Sequence, residues 1–297
     1  MSNKQVTRLL CGGFIFAIRF NHTMSDATGL ALFLNAVGEM ARGLQSPTVP
    51  PVWNRELLDA RNPPNPTCVH REYDVVPDTD GTIDPLDDLV HRSFFFGPKE
   101  IASLKKQVPP HMRPSSTFEV LTACLWKCRT IALRPDPDEE VRIISIVNAR
   151  NKFEPPLPRG FYGNVIAFPV AVSRADRLCG NPLGYALGLV KEAKAKVTEE
   201  YMRSVADLMV LRGRPHFTKV RSYVVSDVTR ARAGDVDFGW GKAVYAGPVG
   251  EIPGVGSFYI PFRDGIVVPV CLPGPAMERF VEEIQKLTQA PSVLSPL

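Results

Sequence analysis

The sequence lacks an excess of charge of either sign. Its 297 residues carry 35 Lys and Arg against 31 Asp and Glu, a formal net charge of +4, too mild for an electrostatic nucleic-acid binder. It also lacks any run of about 18 apolar residues, which argues against a membrane-spanning helix. Cysteine is scarce: Cys11, Cys68, Cys124, Cys128, Cys179 and Cys271 form no disulfide framework and no Cys-x-x-Cys pair, so reduced thiols are expected. Met1–Gln5 is polar and shows no signal-like segment, and together these features predict a cytoplasmic protein. No Gly-x-Ser-x-Gly elbow or phosphate-binding Gly-Lys-Ser/Thr loop occurs, and Gly239-Trp240-Gly241 lacks the third glycine of a dinucleotide fingerprint, so these hydrolase, nucleotidase and Rossmann chemistries drop out.

What is present is an average globular composition, 44% hydrophobic and 22% charged, in a chain long enough for roughly two domains. Thr7–Phe20 reads as a strand, Asn21–Asp26 as a polar loop and Ala27–Arg42 as a helix, a unit that often builds sites. Prolines crowd residues 46–88 and prevent regular helix, so this stretch reads as a long linker. Beyond it come a strand at Ser93–Phe96, a helix opened by Gly97–Glu100, and a longer helix capped by Ser115-Ser116-Thr117 and running to about Leu133. Val141–Ala149, Asn164–Ser173, Tyr223–Ser226, Gly256–Phe262 and Ile266–Leu272 read as strands, Leu183–Leu211 as one or two helices and Pro275–Gln289 as a closing helix. Strands and helices mix without a strict βαβ repeat, which predicts an α/β fold with mixed sheets.

His22 is the first candidate for chemistry. A neutral imidazole can take a proton from a hydroxyl, and Asp26 follows four residues on; a merely solvated loop histidine fits the spacing equally well. His70, His91, His111 and His216 have no carboxylate at a telling spacing and read as surface residues. Cys124 and Cys128, at i and i+4 beside Trp126, read as helix packing, and no metal site is expected. In Asp237-Phe238-Gly239-Trp240-Gly241 two glycines bracket a large aromatic, and residues alone leave a tight turn with a core Trp and a catalytic role both open.

His22-Thr23-Met24-Ser25-Asp26 followed some two hundred residues later by Asp237–Gly241 resembles the plant BAHD acyl-CoA-dependent acyltransferases, and the alcohol acyltransferase or benzyl alcohol O-benzoyltransferase branch in particular. Cys11–Phe14, Asn148-Ala149-Arg150 and Pro155–Asn164 carry the same resemblance, which covers essentially the whole chain. It implies a two-domain, chloramphenicol-acetyltransferase-like α/β fold with an incomplete first domain, because the family's His motif lies farther along a longer protein. Residues 1–45 would be the remainder of that domain, 46–92 a Pro-rich crossover, 93–230 the second domain, 231–254 a return to the first and 255–297 the second again. Apolar faces at Phe14, Phe16, Ile18 and Leu30–Met40 would then be exposed.

The resemblance further implies an O-acyltransferase of plant secondary metabolism that moves a benzoyl, acetyl or similar group from CoA to a small alcohol, with acyl-CoA as co-substrate and no bound cofactor. The alternative is a truncated homologue without turnover. His22 would be the general base and Asp26 an orienting residue paired with Arg150, while Asp237, Gly239, Trp240 and Gly241 hold a remote loop. Ser226 would stand near the substrate oxygen. Val228, where hydroxycinnamoyl-transferring relatives have a tryptophan, would suit small acceptors. Ser115, Ser116 and Thr117 would offer helix N-terminal N–H groups to CoA phosphate. A monomer without nucleic-acid or membrane partners is expected.

Overall fold

The computed structural model describes residues 3–76, 89–250, 252, 254–288 and 293–294. The N-terminal apolar stretch is a hairpin rather than the single strand expected. β1 (Asn3–Arg8) and β2 (Phe14–Arg19) pair antiparallel, with Asn3 opposite Arg19. Cys11-Gly12-Gly13 makes the reversal: Gly12 has φ of 86°, a region side chains disfavour, and Leu9 N–H donates to the Gly13 carbonyl at 2.9 Å.

Helix α1 (Ala27–Ala41) starts where Asp26 Oδ1 accepts the Gly29 N–H, an N-cap bond that supplies one of the four orphan donors of a first turn. Its two buried glycines fix how it packs. A Cβ on Gly29 would stand 1.9 Å from the Tyr162 carbonyl oxygen, and one on Gly38 would stand 2.6 Å from that of Asp237. The helix is therefore gripped at two points about 14 Å apart along its axis by segments distant in sequence. Its other face and the hairpin leave apolar side chains open, with Ile15 54% and Phe33 44% exposed.

The Pro-rich stretch avoids long helix, as its composition dictates, but it is a pinned strap rather than a free linker. Val52 N–H donates to Gly160 O at 2.9 Å, and Arg61 reaches Asp207 through both its backbone N–H (2.7 Å) and its Nε (2.6 Å). Thr67 and Cys68 N–H groups donate to Ser204 Oγ at 3.0 and 2.9 Å, and Thr218 N–H donates to Glu72 O at 2.8 Å. Part of that expected linker, residues 77–88, lies outside the described residues.

The main sheet holds β3 (Leu89–Phe96), β4 (Glu140–Asn148), β5 (Ile166–Ala167), β6 (Val170–Arg174), β7 (Ser222–Asp227), β8 (Gly256–Phe262), β9 (Gly265–Pro273) and β10 (Val293–Leu294). The order is β10-β3-β9-β8-β7-β4-β5, with β6 also on β4. The β4–β7 and β7–β8 pairs are parallel and the others antiparallel, the mixed sheet expected. The predicted strand over Asn164–Ser173 is broken at Phe168-Pro169, since proline has no N–H for the ladder. The remaining helices are α2 (Pro98–Lys106), α3 (Thr117–Leu133), α4 (Ala175–Gly180), α5 (Leu183–Ala195), α6 (Glu199–Leu211) and α7 (Gly274–Thr288).

Helix α3 buries residues on nearly every face, among them Leu121, Cys124, Trp126 and Cys128, the mark of a core helix. The two cysteine sulfurs lie 4.0 Å apart inside that packing. A second, smaller core of Phe153, Phe161, Val165, Val197 and Tyr201 sits apart from it. Among the described residues no helix is long and apolar enough to cross a membrane.

Candidate active site

A tight turn displays His22. Asn21 Oδ1 accepts both the Thr23 N–H (3.0 Å) and the Thr23 hydroxyl (2.9 Å), and Met24 N–H donates to Asn21 O at 3.0 Å, a local side-chain turn of the kind asparagine favours. The imidazole is exposed and stacks against Phe20 at 6.2 Å between ring centroids. Among the described residues neither ring nitrogen has a hydrogen-bond partner. A neutral imidazole in that position can accept a proton from an incoming hydroxyl.

Asp26 does not touch that ring. It is 4% exposed, and its two oxygens accept four hydrogen bonds: Gly29 N–H (3.0 Å) and Arg150 Nη2 (2.9 Å) on Oδ1, Val165 N–H (3.0 Å) and Arg150 Nη1 (2.7 Å) on Oδ2. Such a saturated, bidentate carboxylate has no lone pair left for an imidazole. Arg150 also donates to Gly163 O at 2.7 Å, and its own N–H donates to Asn148 Oδ1 at 3.0 Å. Asn148, at the end of β4, reaches Thr28 Oγ1 with its amide at 3.2 Å. The ion pair thus ties the start of α1 to the exit of β4 and to the 163–165 segment. Next to it, Asn164 Nδ2 donates to the His22 carbonyl at 2.7 Å and Arg55 Nη2 to the Met24 carbonyl at 2.8 Å.

Ser226 lies on β7 opposite Ile146 of β4, so it shares the edge of the sheet that carries Asn148, two residues or about 7 Å farther along β4. Val228 follows that strand and donates its N–H to Tyr259 O at 3.1 Å. Ser116 caps α3 in a reciprocal box: its hydroxyl accepts the Glu119 N–H at 3.3 Å, and Glu119 accepts the Ser116 N–H at 2.9 Å. Thr117 opens the helix, and the hydroxyl of Ser115, 5% exposed, has no hydrogen-bond partner among the described residues.

Asp237 turns its own segment. Its Oδ1 accepts the N–H groups of Gly239 (2.7 Å) and Gly241 (3.0 Å), which hold its carboxyl below its ordinary value. Gly239 and Gly241 have φ of 106° and 100°. Trp240 is 82% exposed, edge-on to Phe14 at 5.6 Å, which overturns the core-Trp reading; Phe238 instead packs on Phe14 and Phe16. The Arg42 guanidinium donates to the Asp237 carbonyl, so the motif braces β2 and the end of α1, away from the His22 turn.

One sequence reading is corrected outright: His70 is buried, not a surface residue. Its Nδ1 faces Glu72 Oε1 at 2.9 Å and its Nε2 faces Ser204 Oγ at 2.8 Å. The Tyr201 hydroxyl also donates to that carboxylate, and burial with the nearby Glu72 charge pushes the Tyr201 phenol far up. Ser204 Oγ already accepts two backbone N–H bonds, so its proton must go to Nε2, and Nδ1–H must donate to Glu72. The order of bonds is that of a hydrolase triad. The serine, however, is fully buried with both lone pairs spent, so it cannot attack a substrate.

A family model described as the Transferase family matches residues 3–287. The chain belongs to that family. As a BAHD-type transferase it is 67% identical over 98% of its length to the benzyl alcohol O-benzoyltransferase of Petunia hybrida, and 57% identical over 97% to alcohol acyl transferase 1 allele GSa of Malus domestica. It spans 65% and 64% of those relatives' own lengths. Among solved structures, the transferase fold is shared with vinorine synthase (TM-score 0.73, 21% identity, 97% of this chain and 66% of that one). It is shared too with an F. sporotrichioides protein complexed with coenzyme A and T-2 (TM-score 0.72, 19% identity, 99% and 70%).

Sequence motifs singled out His22, Asp26 and Arg150, but nothing pointed to Arg55, Glu72 or Ser204. Asn164 sat within the Pro155–Asn164 stretch without a role of its own. The signal for these four lies in tertiary contact and not in local spacing.

Proposed function

We propose that the protein to which this chain belongs is an acyl-CoA-dependent alcohol O-acyltransferase, with a small alcohol such as benzyl alcohol as acceptor and a benzoyl, acetyl or similar acyl group as cargo. The observation that carries the reading is His22, exposed and, among the described residues, with neither ring nitrogen hydrogen-bonded, on a chain 67% identical to a benzyl alcohol O-benzoyltransferase. His22 takes the proton of the acceptor hydroxyl as its oxygen attacks the thioester carbonyl. The tetrahedral intermediate collapses to ester and CoA thiolate, and the imidazolium returns the proton to the sulfur. General-base catalysis of this kind contributes about 10² to 10⁴-fold.

Asp26 and Arg150 orient the turn without exchanging protons. Ser226 supplies a hydroxyl near the developing oxyanion, where a donor is worth the most, and Val228 is a small apolar wall. Ser115, whose buried hydroxyl has no partner among the described residues, acts with Ser116 and Thr117 toward CoA phosphate at the start of α3. Residues 1–45 and 231–254 form the His-motif domain, joined by the crossover 46–92 to a domain of 93–230 and 255–297; the packing of Phe238 on Phe14 and Phe16 supports that division. The protein works as a cytoplasmic monomer of plant secondary metabolism, with acyl-CoA and alcohol as its partners and neither nucleic acid nor membrane among them.

The test is ester formation from benzyl alcohol with benzoyl-CoA or acetyl-CoA, followed by chromatography. It is run with the chain alone and with the chain joined to the part of the petunia relative outside the matched 65%. Ester that disappears in His22→Ala is the expected result. Ester that survives that substitution overturns the assignment.

A further inference from the structure

Three successive carbonyl oxygens of the His22 turn are engaged by side chains from elsewhere in the chain. Asn164 Nδ2 donates to His22 O at 2.7 Å, Arg55 Nη1 to Thr23 O at 3.5 Å and Arg55 Nη2 to Met24 O at 2.8 Å. Arg55 comes from the Pro-rich strap, in the short 3-10 turn Arg55–Leu58, and its guanidinium lies over the Trp53 ring at 3.9 Å. Trp53 in turn packs on Tyr162 at 5.6 Å, and Tyr162 is the residue whose carbonyl closes on Gly29 of α1. A planar guanidinium held flat on an indole loses little freedom when it donates two bonds from one edge. Among the described residues its Nε has no acceptor, and its hydrogen bonds are those that Nη1 and Nη2 make to the turn.

We infer that Arg55 is a positioning residue for His22: the strap delivers a guanidinium that fixes the Thr23 and Met24 carbonyls and thereby the direction of the His22 imidazole. The inference rests on the reading of His22 as the base. The geometry explains why this turn needs an outside brace. The Asn21 turn orders residues 21–24 and the Asp26–Arg150 pair orders residue 26, but neither bonds the carbonyls on the far side of the turn. With those carbonyls free, peptide rotation at Thr23 or Met24 would swing the exposed imidazole while the buried anchors stayed in place. A reacting group displaced by about 1 Å can lose on the order of 10²-fold in rate.

The test reads His22 directly in the full chain labelled with 15N-histidine, its ring signals assigned by their loss in His22→Gln. Wild type is expected to give one sharp His22 ring signal set. Arg55→Met is expected to broaden or split that set, and Arg55→Lys, which keeps the charge and reaches one carbonyl, to restore most of the sharp signal. Arg61→Gln, which removes a strap anchor on α6, is expected to leave His22 unmoved. Should Arg55→Met fail to fold, Trp53→Leu removes the platform and keeps the donors, with the same expected broadening. In kinetics, Arg55→Met lowers kcat by about tenfold or more with KM unchanged.

A His22 set that stays single and unshifted in folded Arg55→Met, or in Trp53→Leu where that variant stands in for it, overturns the inference. So does an equal disturbance in Arg61→Gln. If wild-type protein with an ordered His22 forms no ester, the base reading fails while the spectra still decide the role of Arg55.

Discussion

The chain holds two histidine–carboxylate arrangements, and they reverse what their spacing suggests. At the first, His22 and Asp26 sit four residues apart yet make no bond; the carboxylate is spent on Arg150, Val165 and Gly29 while the imidazole stands open. At the second, His70 and Glu72 bond directly, a serine completes the line, and both ring nitrogens and the serine oxygen are engaged beneath the strap. The comparison separates two uses of one residue type. A reactive histidine needs a fixed backbone and a free ring, whereas a structural one needs a satisfied ring, because a buried polar group left unpaired costs about 1–3 kcal/mol. The triad-like order of bonds is therefore no guide to reactivity unless one member keeps an unfilled position.

The sharpest way to break this comparison is to remove each ring. His22→Ala is expected to lower turnover by about 10² to 10⁴-fold with an unchanged melting temperature, since an exposed ring is lost. His70→Ala is expected to do the reverse. It strands the Glu72 carboxylate beside Tyr201 and leaves the Ser204 hydroxyl without its acceptor, a loss of about 3–5 kcal/mol readable in urea unfolding. A destabilised His22→Ala or a fully stable His70→Ala would collapse the distinction.

Next in size are the supports of the His22 turn. Arg150→Met leaves the buried Asp26 carboxylate without its bidentate partner, and removing one member of a buried pair costs about 3–5 kcal/mol. Because the same carboxylate caps α1, hydrogen exchange should quicken across the first turn of that helix. A smaller loss, about 1–3 kcal/mol, is expected for Gly29→Ala, whose new methyl meets the Tyr162 carbonyl oxygen at 1.9 Å. Backbone cannot yield there as a flexible side chain would, so melting should drop while Gly180→Ala, in open space at an ordinary φ, costs less.

The His22 half of the comparison was legible in the sequence and the His70 half was not. A polar loop between an apolar stretch and a glycine-containing helix marks the His22 turn, the Ser115-Ser116-Thr117 cap marks the start of α3, and α1, α3 and α7 were read with bounds near those observed. The hairpin at Gly12 was missed because an apolar run on both sides reads as one strand. The strap was missed because proline density speaks only against helix. It says nothing about Arg61, Thr67 or His70 finding Asp207 and Ser204 on α6 more than a hundred residues away. Of the readings left open for Trp240, the core ring fails for a related reason: the Asx-type turn of Asp237 fixes the backbone and leaves the ring outside, 82% exposed.

The smallest effect tests whether the strap is an electrostatic fixture as well as a hydrogen-bonded one. Burial alone would raise the Asp207 carboxyl, but the Asn65 N–H and the Arg61 side chain and N–H outweigh it and hold it below its ordinary value of 3.8. A carboxylate depressed in the folded state stabilises that state above its unfolded value and loses the contribution as pH falls through the folded value. Above about pH 5 the Arg61–Asp207 contact is therefore complete, and below about pH 4 it weakens progressively. Asp207→Asn should flatten this acid limb of stability, measured by urea midpoints from pH 3 to pH 7, while leaving the ester formation proposed for His22 unchanged at neutral pH. An acid limb equally steep in both proteins would move the pH dependence from the Arg61–Asp207 contact to other carboxylates.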